Sequence, residues 1–97
     1  MVLELLTGHY SATVGSSSAT SGAITLPENK VLITCTVATY ISINAASGTA
    51  ATSSDKMLLP NVNYVLTVPT GRYFSHLRVG SSNGNISIIP VKLGGTV

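Results

Sequence analysis

The feature that most constrains the fold is an alternation of apolar and polar residues with a period of two. It is clearest in the run VLITCTVATYISIN, residues 31–44. Because successive side chains of a strand point to opposite faces, this pattern predicts β-structure with one buried face. Thr39 interrupts the apolar face and predicts a bend or bulge between two strand segments. The apolar face consists of Val31, Ile33, Cys35, Val37, Ile41 and Ile43.

Three further runs alternate in the same way and predict more strands. They are NVNYVLTVP at residues 61–69, RYFSHLRVG at 72–80 and NISIIPVKL at 85–93. In the last run Pro90 predicts an edge strand or a bulge, because proline cannot donate a hydrogen bond to a neighbouring strand.

Turn signals separate these runs. Pro69-Thr70-Gly71 predicts a tight turn, and Ser82–Asn85 contains Asn-Gly, which favours a hairpin because both residues tolerate positive φ. Pro27–Lys30 closes a short predicted strand from Gly22 to Leu26. Closely spaced strands without helical periodicity predict an all-β fold, either a single antiparallel β-sandwich or a jelly-roll-like barrel.

The chain has 97 residues, which suits a single β domain. We expect residues 22–97 to form the sandwich core and treat residues 1–21 as a candidate N-terminal arm or linker. Two alternatives stay open for residues 2–14: they form the first strands of the sandwich, or they form an arm that pairs with a neighbouring subunit. The apolar residues of this segment are candidate assembly contacts: Val2, Leu3, Leu5 and Leu6.

The segment NAASGTAATSSDKMLLP, residues 44–60, resembles a flexible linker in composition. Its first eleven residues are all Asn, Ala, Ser, Gly or Thr and cannot build a core. Met57-Leu58-Leu59-Pro60 is apolar and predicts a short strand or plug that returns the chain to the core. Since neither flank is long enough to be an independent domain, we expect a surface loop within one domain.

Charged residues are scarce, and this limits the kinds of partner that the protein is expected to bind. Asp, Glu, Lys and Arg make up 8% of the chain, against about 25% in typical soluble domains. A protein held in an assembly needs less charge for solubility than a free monomer does. The net charge of +2 comes from scattered cations, so we expect no nucleic-acid partner. No stretch of 18 apolar residues occurs, so we expect no membrane partner either.

No residue pattern predicts catalysis. The carboxylates are Glu4, Glu28 and Asp55, too few and too dispersed for the usual hydrolytic sites. His9, His76 and Cys35 lack the short spacing of metal ligands. The single cysteine excludes an intrachain disulfide and fits a reducing cytoplasm. We therefore expect a protein that is not an enzyme, with no cofactor and no metal.

The strand at residues 73–78 is a candidate contact surface because it concentrates aromatic and cationic groups. If its even-numbered residues face outward they form a patch of the kind enriched at interfaces. The alternative is an ordinary strand with Phe74 tucked under a loop. The candidate contacts are Tyr73, Phe74, His76 and Arg78.

Residues 31–93 resemble small β-sandwich structural proteins of tailed bacteriophages, of the capsid decoration or cement type. A β-rich stretch ends in Ile41-Ser42-Ile43-Asn44 and is followed by an Ala/Thr/Ser-rich loop, Leu59-Pro60 and a strand that reaches Tyr64. The turn Val68–Gly71 and Asn83-Gly84 complete the pattern. The first 30 residues lie outside this resemblance.

The resemblance implies a β-sandwich in the virion, with no catalytic site. It implies a capsid decoration protein that binds the major capsid protein on the capsid surface, after assembly in the host cytoplasm. Such proteins are commonly trimers, so we expect a homo-oligomer, with a trimer favoured. Two alternatives remain: a component of the tail or head–tail junction, and a carbohydrate-binding attachment module.

Overall fold

The computed structural model describes residues 2–45 and 50–94, and within these residues the protein is all-β, with no helix. The predicted fold class is confirmed. The strands are β1 (Val2–Leu5), β2 (Tyr10–Val14), β3 (Ala19–Thr20), β4 (Lys30–Cys35), β5 (Thr39–Asn44), β6 (Lys56–Leu58), β7 (Tyr64–Thr67), β8 (Tyr73–Arg78) and β9 (Gly84–Gly94).

The strands form two antiparallel sheets. The first sheet has the order β1-β9-β4-β7, with β2 also paired to β9, and the second has the order β3-β8-β5-β6. Only the β1–β2 and β5–β6 connections stay within one sheet, while every other connection between described strands passes to the opposite sheet. This crossing pattern makes a β-sandwich. No helix capable of crossing a membrane is found among the described residues.

The core lies between the two sheets and consists mainly of aliphatic side chains. On β4 the predicted apolar face is fully buried at Val31, Ile33 and Cys35. Phe74 is the largest fully buried side chain. The other main contributors are Val14, Leu26, Ile41, Leu58, Ile86 and Ile88.

The run 31–44 divides into two strands that belong to different sheets. β4 ends at Cys35 and β5 begins at Thr39, so the predicted bend is a passage across the sandwich. Thr39 is buried, and its hydroxyl donates a hydrogen bond to the carbonyl oxygen of Val37 at 2.8 Å. Because a buried hydroxyl needs a partner, this local bond allows a threonine at a core position.

Residues 2–14 are strands of the protein's own first sheet. β1 pairs with the C-terminal half of β9 and β2 with its N-terminal half. β3 follows within the second sheet, against β8. Of the two alternatives for this segment, the structure therefore has the first: residues 2–14 open the sandwich and do not extend from it as an arm.

Pro90 lies inside β9, which is an interior strand, so the predicted edge position is wrong. The Leu6 N–H donates to the Pro90 carbonyl at 2.8 Å, which shows that the backbone of Pro90 faces the β1 side. There the chain leaves β1 through Gly8, which has a φ of 105°. Since the N–H and C=O of a strand residue point to the same neighbour, the missing N–H of Pro90 interrupts no bond to β4.

The turns are partly as predicted. Gly71 has a φ of 81° in the predicted Pro69–Gly71 turn, and its N–H donates to Ile24 at 2.8 Å. The strand predicted at Gly22–Leu26 is reduced to one isolated bridge, between Ile24 and Arg72. Asn29 closes the following turn with a φ of 55° and an N–H bond to Leu26 at 3.1 Å.

The Asn83-Gly84 hairpin prediction is wrong, because β8 and β9 lie in different sheets. Gly84 does not have the positive φ of a hairpin turn. It instead permits close packing: a Cβ at this position would lie 2.6 Å from Thr36 Oγ1 and 2.7 Å from Val37 Cγ2. Thr36 Oγ1 also accepts the Asn85 N–H at 2.9 Å, so this side chain is held in place.

We expect Gly84→Ala to lower the free energy of unfolding by about 1–3 kcal/mol, because the methyl group overpacks two β-branched side chains with restricted rotamers. Urea denaturation followed by circular dichroism measures this loss. Gly80→Ala is the matched control, since a Cβ there meets no atom within 4 Å. Equal stability of the two variants would contradict the packing account.

The segment at residues 44–60 begins at the last residue of β5 and includes β6, and residues 46–49 lie outside the described part. The part of the segment after residue 49 is held against the second sheet. Ala51 is buried, and its N–H donates a hydrogen bond to Ser75 Oγ at 2.8 Å, on the outer face of that sheet. Asp55 closes a turn by accepting the Thr52 N–H at 2.8 Å. Of the predicted apolar plug only Leu58 enters the core.

Candidate functional site

The predicted contact strand β8 presents its even-numbered residues to the core, and this corrects the outward-facing arrangement. Phe74 and His76 are fully buried, so neither side chain contacts a partner in the folded protein. They lie opposite Ile43 and Ile41 of β5, on the face that the first sheet covers. Phe74 is in the core between the sheets, as the alternative prediction of an ordinary strand had it.

The other two candidate contacts of that strand, Tyr73 and Arg78, lie nearer the surface. Tyr73 is half-buried. Arg78 is also half-buried, and its Nη1 donates a hydrogen bond to Asn83 Oδ1 in the connection to β9. Their participation in a contact stays a prediction.

The N-terminal contact residues are placed on and after β1. Leu5 is exposed and Leu6 is half-buried, while the side chains of Val2 and Leu3 lie outside the described residues. Leu5 is opposite Val91 of β9. The structure therefore leaves one of the predicted apolar contacts accessible at this edge of the first sheet.

The most unusual polar group of the interior is the imidazole of His76. Its Nε2 lies 3.0 Å from the hydroxyl oxygen of Tyr10, and its Nδ1 is buried without a hydrogen-bond partner. Burial lowers the pKa of His76 and raises the pKa of Tyr10, because removal from water disfavours the charged forms. The pair is an inter-sheet contact, with ring centroids 6.0 Å apart.

The three residues considered as metal ligands are not brought together into one group. His9 is exposed and its Nε2 lies 3.0 Å from Ser87 Oγ. Cys35 is buried, its thiol donates to the Leu59 carbonyl at 3.5 Å, and burial raises its pKa. Among the described residues there is no group of three or more His, Cys, Asp or Glu side chains that could hold a metal ion.

The burial of His76 predicts that the protein loses stability at acidic pH. Its folded-state pKa lies below the ordinary value of 6.5, so protonation favours the unfolded chain. The stability that the neutral imidazole supports is present above pH 6.5 and is lost as the pH falls through the lowered pKa. We therefore expect the urea midpoint to fall as the pH is lowered below 6.5.

The slope of the urea midpoint in this pH range should largely disappear in His76→Leu. His9→Gln is the control and should retain the wild-type slope, because His9 lies at the surface. A His76→Leu variant with an unchanged slope would assign the acid sensitivity to other groups.

Most of the exposed large hydrophobic residues lie where β6 leads into β7. Four of the five such residues in the described part of the chain fall between residues 57 and 65. We call these residues the β6–β7 edge: Met57 (44% exposed), Leu59 (50%), Val62 (38%) and Val65 (44%). β6 and β7 each end the order of their sheet. Met57 is opposite Tyr40 and Val65 is opposite Leu32, so these two side chains lie on the outer faces of different sheets, with Leu59 and Val62 in the connection between them.

The connection between these strands is held by hydrogen bonds. The Asn61 N–H donates to the Cys35 carbonyl at 2.7 Å, and Asn61 has a φ of 59°. The Leu59 N–H donates to the hydroxyl of Tyr64 at 2.9 Å. Since these bonds engage the backbone, the exposed side chains of Leu59 and Val62 are presented by a defined loop.

The β6–β7 edge is also neutral. No Asp, Glu, Lys, Arg or His occurs from Met57 to Gly71. The sequence contains this signal, but its apolar pattern predicts that residues 57–60 return to the core as a short strand or plug. Because only Leu58 is buried there, the flanking pair forms an exposed surface instead.

A second surface feature is a shallow depression on the outer face of the first sheet, with a volume of about 550 Å³. Side chains from β2, β9 and β4 supply hydroxyl and amide groups. Ser11, Ser87 and Thr34 stand opposite one another across the three strands. No Tyr, Phe or Trp is among its described lining residues, and the one ring that lines it is the imidazole of His9.

Comparison with known proteins identifies no relative. No family model, no curated protein and no solved structure matches the chain.

Proposed function

We propose that this protein is a non-enzymatic structural subunit of a tailed-phage particle, a capsid decoration protein that binds the major capsid protein and stabilises the head. The observation that carries the proposal is the neutral, apolar β6–β7 edge. Exposed apolar side chains that are concentrated on one part of a surface commonly mark protein interfaces. The resemblance of residues 31–93 to phage virion proteins is the reason to propose a phage particle as the assembly.

The composition supports the same proposal. Only 8% of the residues are charged, so the surface is covered largely by hydroxyl, amide and apolar groups. Such a surface can be desolvated against a neighbour without burying unpaired charges, which is costly. The protein would therefore reside on the capsid surface of the virion, after assembly in the host cytoplasm.

Three of the acid–base groups have positions that suit a structural role. Asp55 accepts a hydrogen bond within its own turn, and Glu28 is exposed in the turn between Leu26 and Asn29. His76 is buried in the core, where its Nε2 lies 3.0 Å from the hydroxyl of Tyr10.

A decoration protein stabilises a shell by burying surface at capsomer junctions. Apolar burial contributes about 25 cal/mol per Å² before the costs of association. A modest contact repeated over the whole shell adds up to a large resistance against internal pressure. Homo-oligomers of the subunit would increase this effect, because several weak contacts then act together.

The proposal predicts that phage particles lacking this protein lose heat and osmotic resistance. Infectivity after heating, or after rapid dilution from high salt, measures that loss against the parent phage. Complementation with the intact gene is the control and should restore resistance. Unchanged resistance of the deletion particles would contradict a decoration role.

Copy number per virion separates the shell from the tail or head–tail junction. Gel densitometry against the major capsid protein should give on the order of hundreds of copies for a decoration protein, against about a dozen for a symmetric neck or tail ring. A carbohydrate-binding module commonly uses exposed aromatic side chains, and Phe74 lies in the core. No observation favours that alternative over the structural role.

A further inference from the structure

The strand β7 has backbone groups on one side that pair with no other described strand. β7 pairs with β4 on one side and ends the order of the first sheet on the other. The Val68 N–H donates to the Asn29 carbonyl at 2.8 Å, on the β4 side. Because backbone groups alternate in direction along a strand, those of Leu66 point toward β4 and those of Val65 and Thr67 point away from the sheet.

Apart from its shortness, this edge strand carries none of the side chains that usually protect against strand pairing. Natural edge strands are commonly protected by charged side chains, by proline or by bulges. Tyr64–Thr67 contains neither a charge nor a proline, and the nearest prolines, Pro60 and Pro69, lie outside the strand. Val65 adds an exposed apolar side chain to the unpaired backbone.

We propose that the partner at the β6–β7 edge is a second copy of this chain, and that β7 pairs with β7 of that copy, antiparallel, around a two-fold axis. The first sheet then continues across the dimer. This inference rests on the proposed assembly role and names the neighbour at this surface. Edge-to-edge pairing satisfies the free backbone groups of Val65 and Thr67 in both copies.

The absence of charge favours a second copy as the occupant. In a two-fold contact each residue faces the same surface of the partner, so a charged patch would repel itself. The edge has no charge from Met57 to Gly71, and its apolar side chains would meet apolar side chains. Pairing of β7 with β2 at the opposite side of the sheet would instead bring Val65 toward Ser11 and Thr13, which are polar.

The size of the contact requires more than the strand β7. A stable interface of standard size buries about 800 Å² on each partner, and a four-residue strand is too short to provide that area. The exposed side chains of Leu59 and Val62, in the connection that leads into β7, supply further apolar surface at this edge.

The register follows from the position of Val65. Pairing centred on Val65 places the two copies of this residue directly opposite, with both hydrogen bonds exchanged between them. In such a pair the Cα atoms are about 5.5 Å apart, and the two valine side chains lie on the same face of the extended sheet.

Sedimentation equilibrium of the purified protein tests the contact. We expect a dimer for the wild type and a dissociation constant raised at least about a hundredfold in Val65→Lys, because like charges are then placed opposite each other. Thr13→Lys is the matched control: it adds the same charge on an exposed strand position of β2 and should leave the dimer intact. Far-UV circular dichroism checks that both variants fold.

Cross-linking tests the register without depending on a destabilising charge. Val65→Cys should form an intermolecular disulfide under mild oxidation, because a Cα separation of about 5.5 Å suits a disulfide. Thr13→Cys should form at least about tenfold less. The native Cys35 is fully buried and does not compete.

Three results would overturn the inference. They are a wild type that stays monomeric at all concentrations, a trimer that Thr13→Lys dissociates and Val65→Lys does not, and equal cross-linking of the two cysteine variants. A trimer of that kind would leave the decoration role standing, because deletion particles would still lose resistance. Conversely, an intact β7 dimer together with unchanged resistance of the deletion particles would support the dimer and contradict the decoration role.

Discussion

The rest of the structure depends on the pairing of β9 with three other strands. Its eleven residues join β1, β2 and β4 into one sheet, with Ile86 and Ile88 in the core. A glycine and a proline lie at the two points where β9 meets a change in its surroundings. Gly84 lets the strand begin against the β4–β5 passage, and Pro90 lies where the strand changes partner from β2 to β1.

This arrangement determines which strands are left at the sides. Because β9 and β4 occupy the interior of the first sheet, β7 remains unpaired on one side, and β6 ends the second sheet. The short connection between them carries exposed Leu59 and Val62 and is held by the bonds to Cys35 and Tyr64. The strand order thus explains both the covered core and the edge where β7 has no neighbouring strand. The second of these features is the one that indicates assembly.

The sequence predicted the fold class and the buried face of β4, because strict alternation at Val31, Ile33 and Cys35 has one interpretation. It could not show that β5 belongs to the other sheet, since alternation carries no information about pairing partners. It also left the direction of β8 open. Both faces of that strand carry large side chains, Tyr73 and Leu77 against Phe74 and His76, and a shift by one residue exchanges the faces.

The account's central claim is that the β6–β7 edge is covered by a protein neighbour, and backbone hydrogen exchange tests it at single residues. In dilute protein the amides of Val65 and Thr67 should exchange rapidly, while those of Tyr64 and Leu66 are protected by β4. Raising the protein concentration should slow exchange at Val65 and Thr67 and leave the other two unchanged. Rapid exchange of Val65 and Thr67 at every concentration, and also on assembled particles, would contradict the claim.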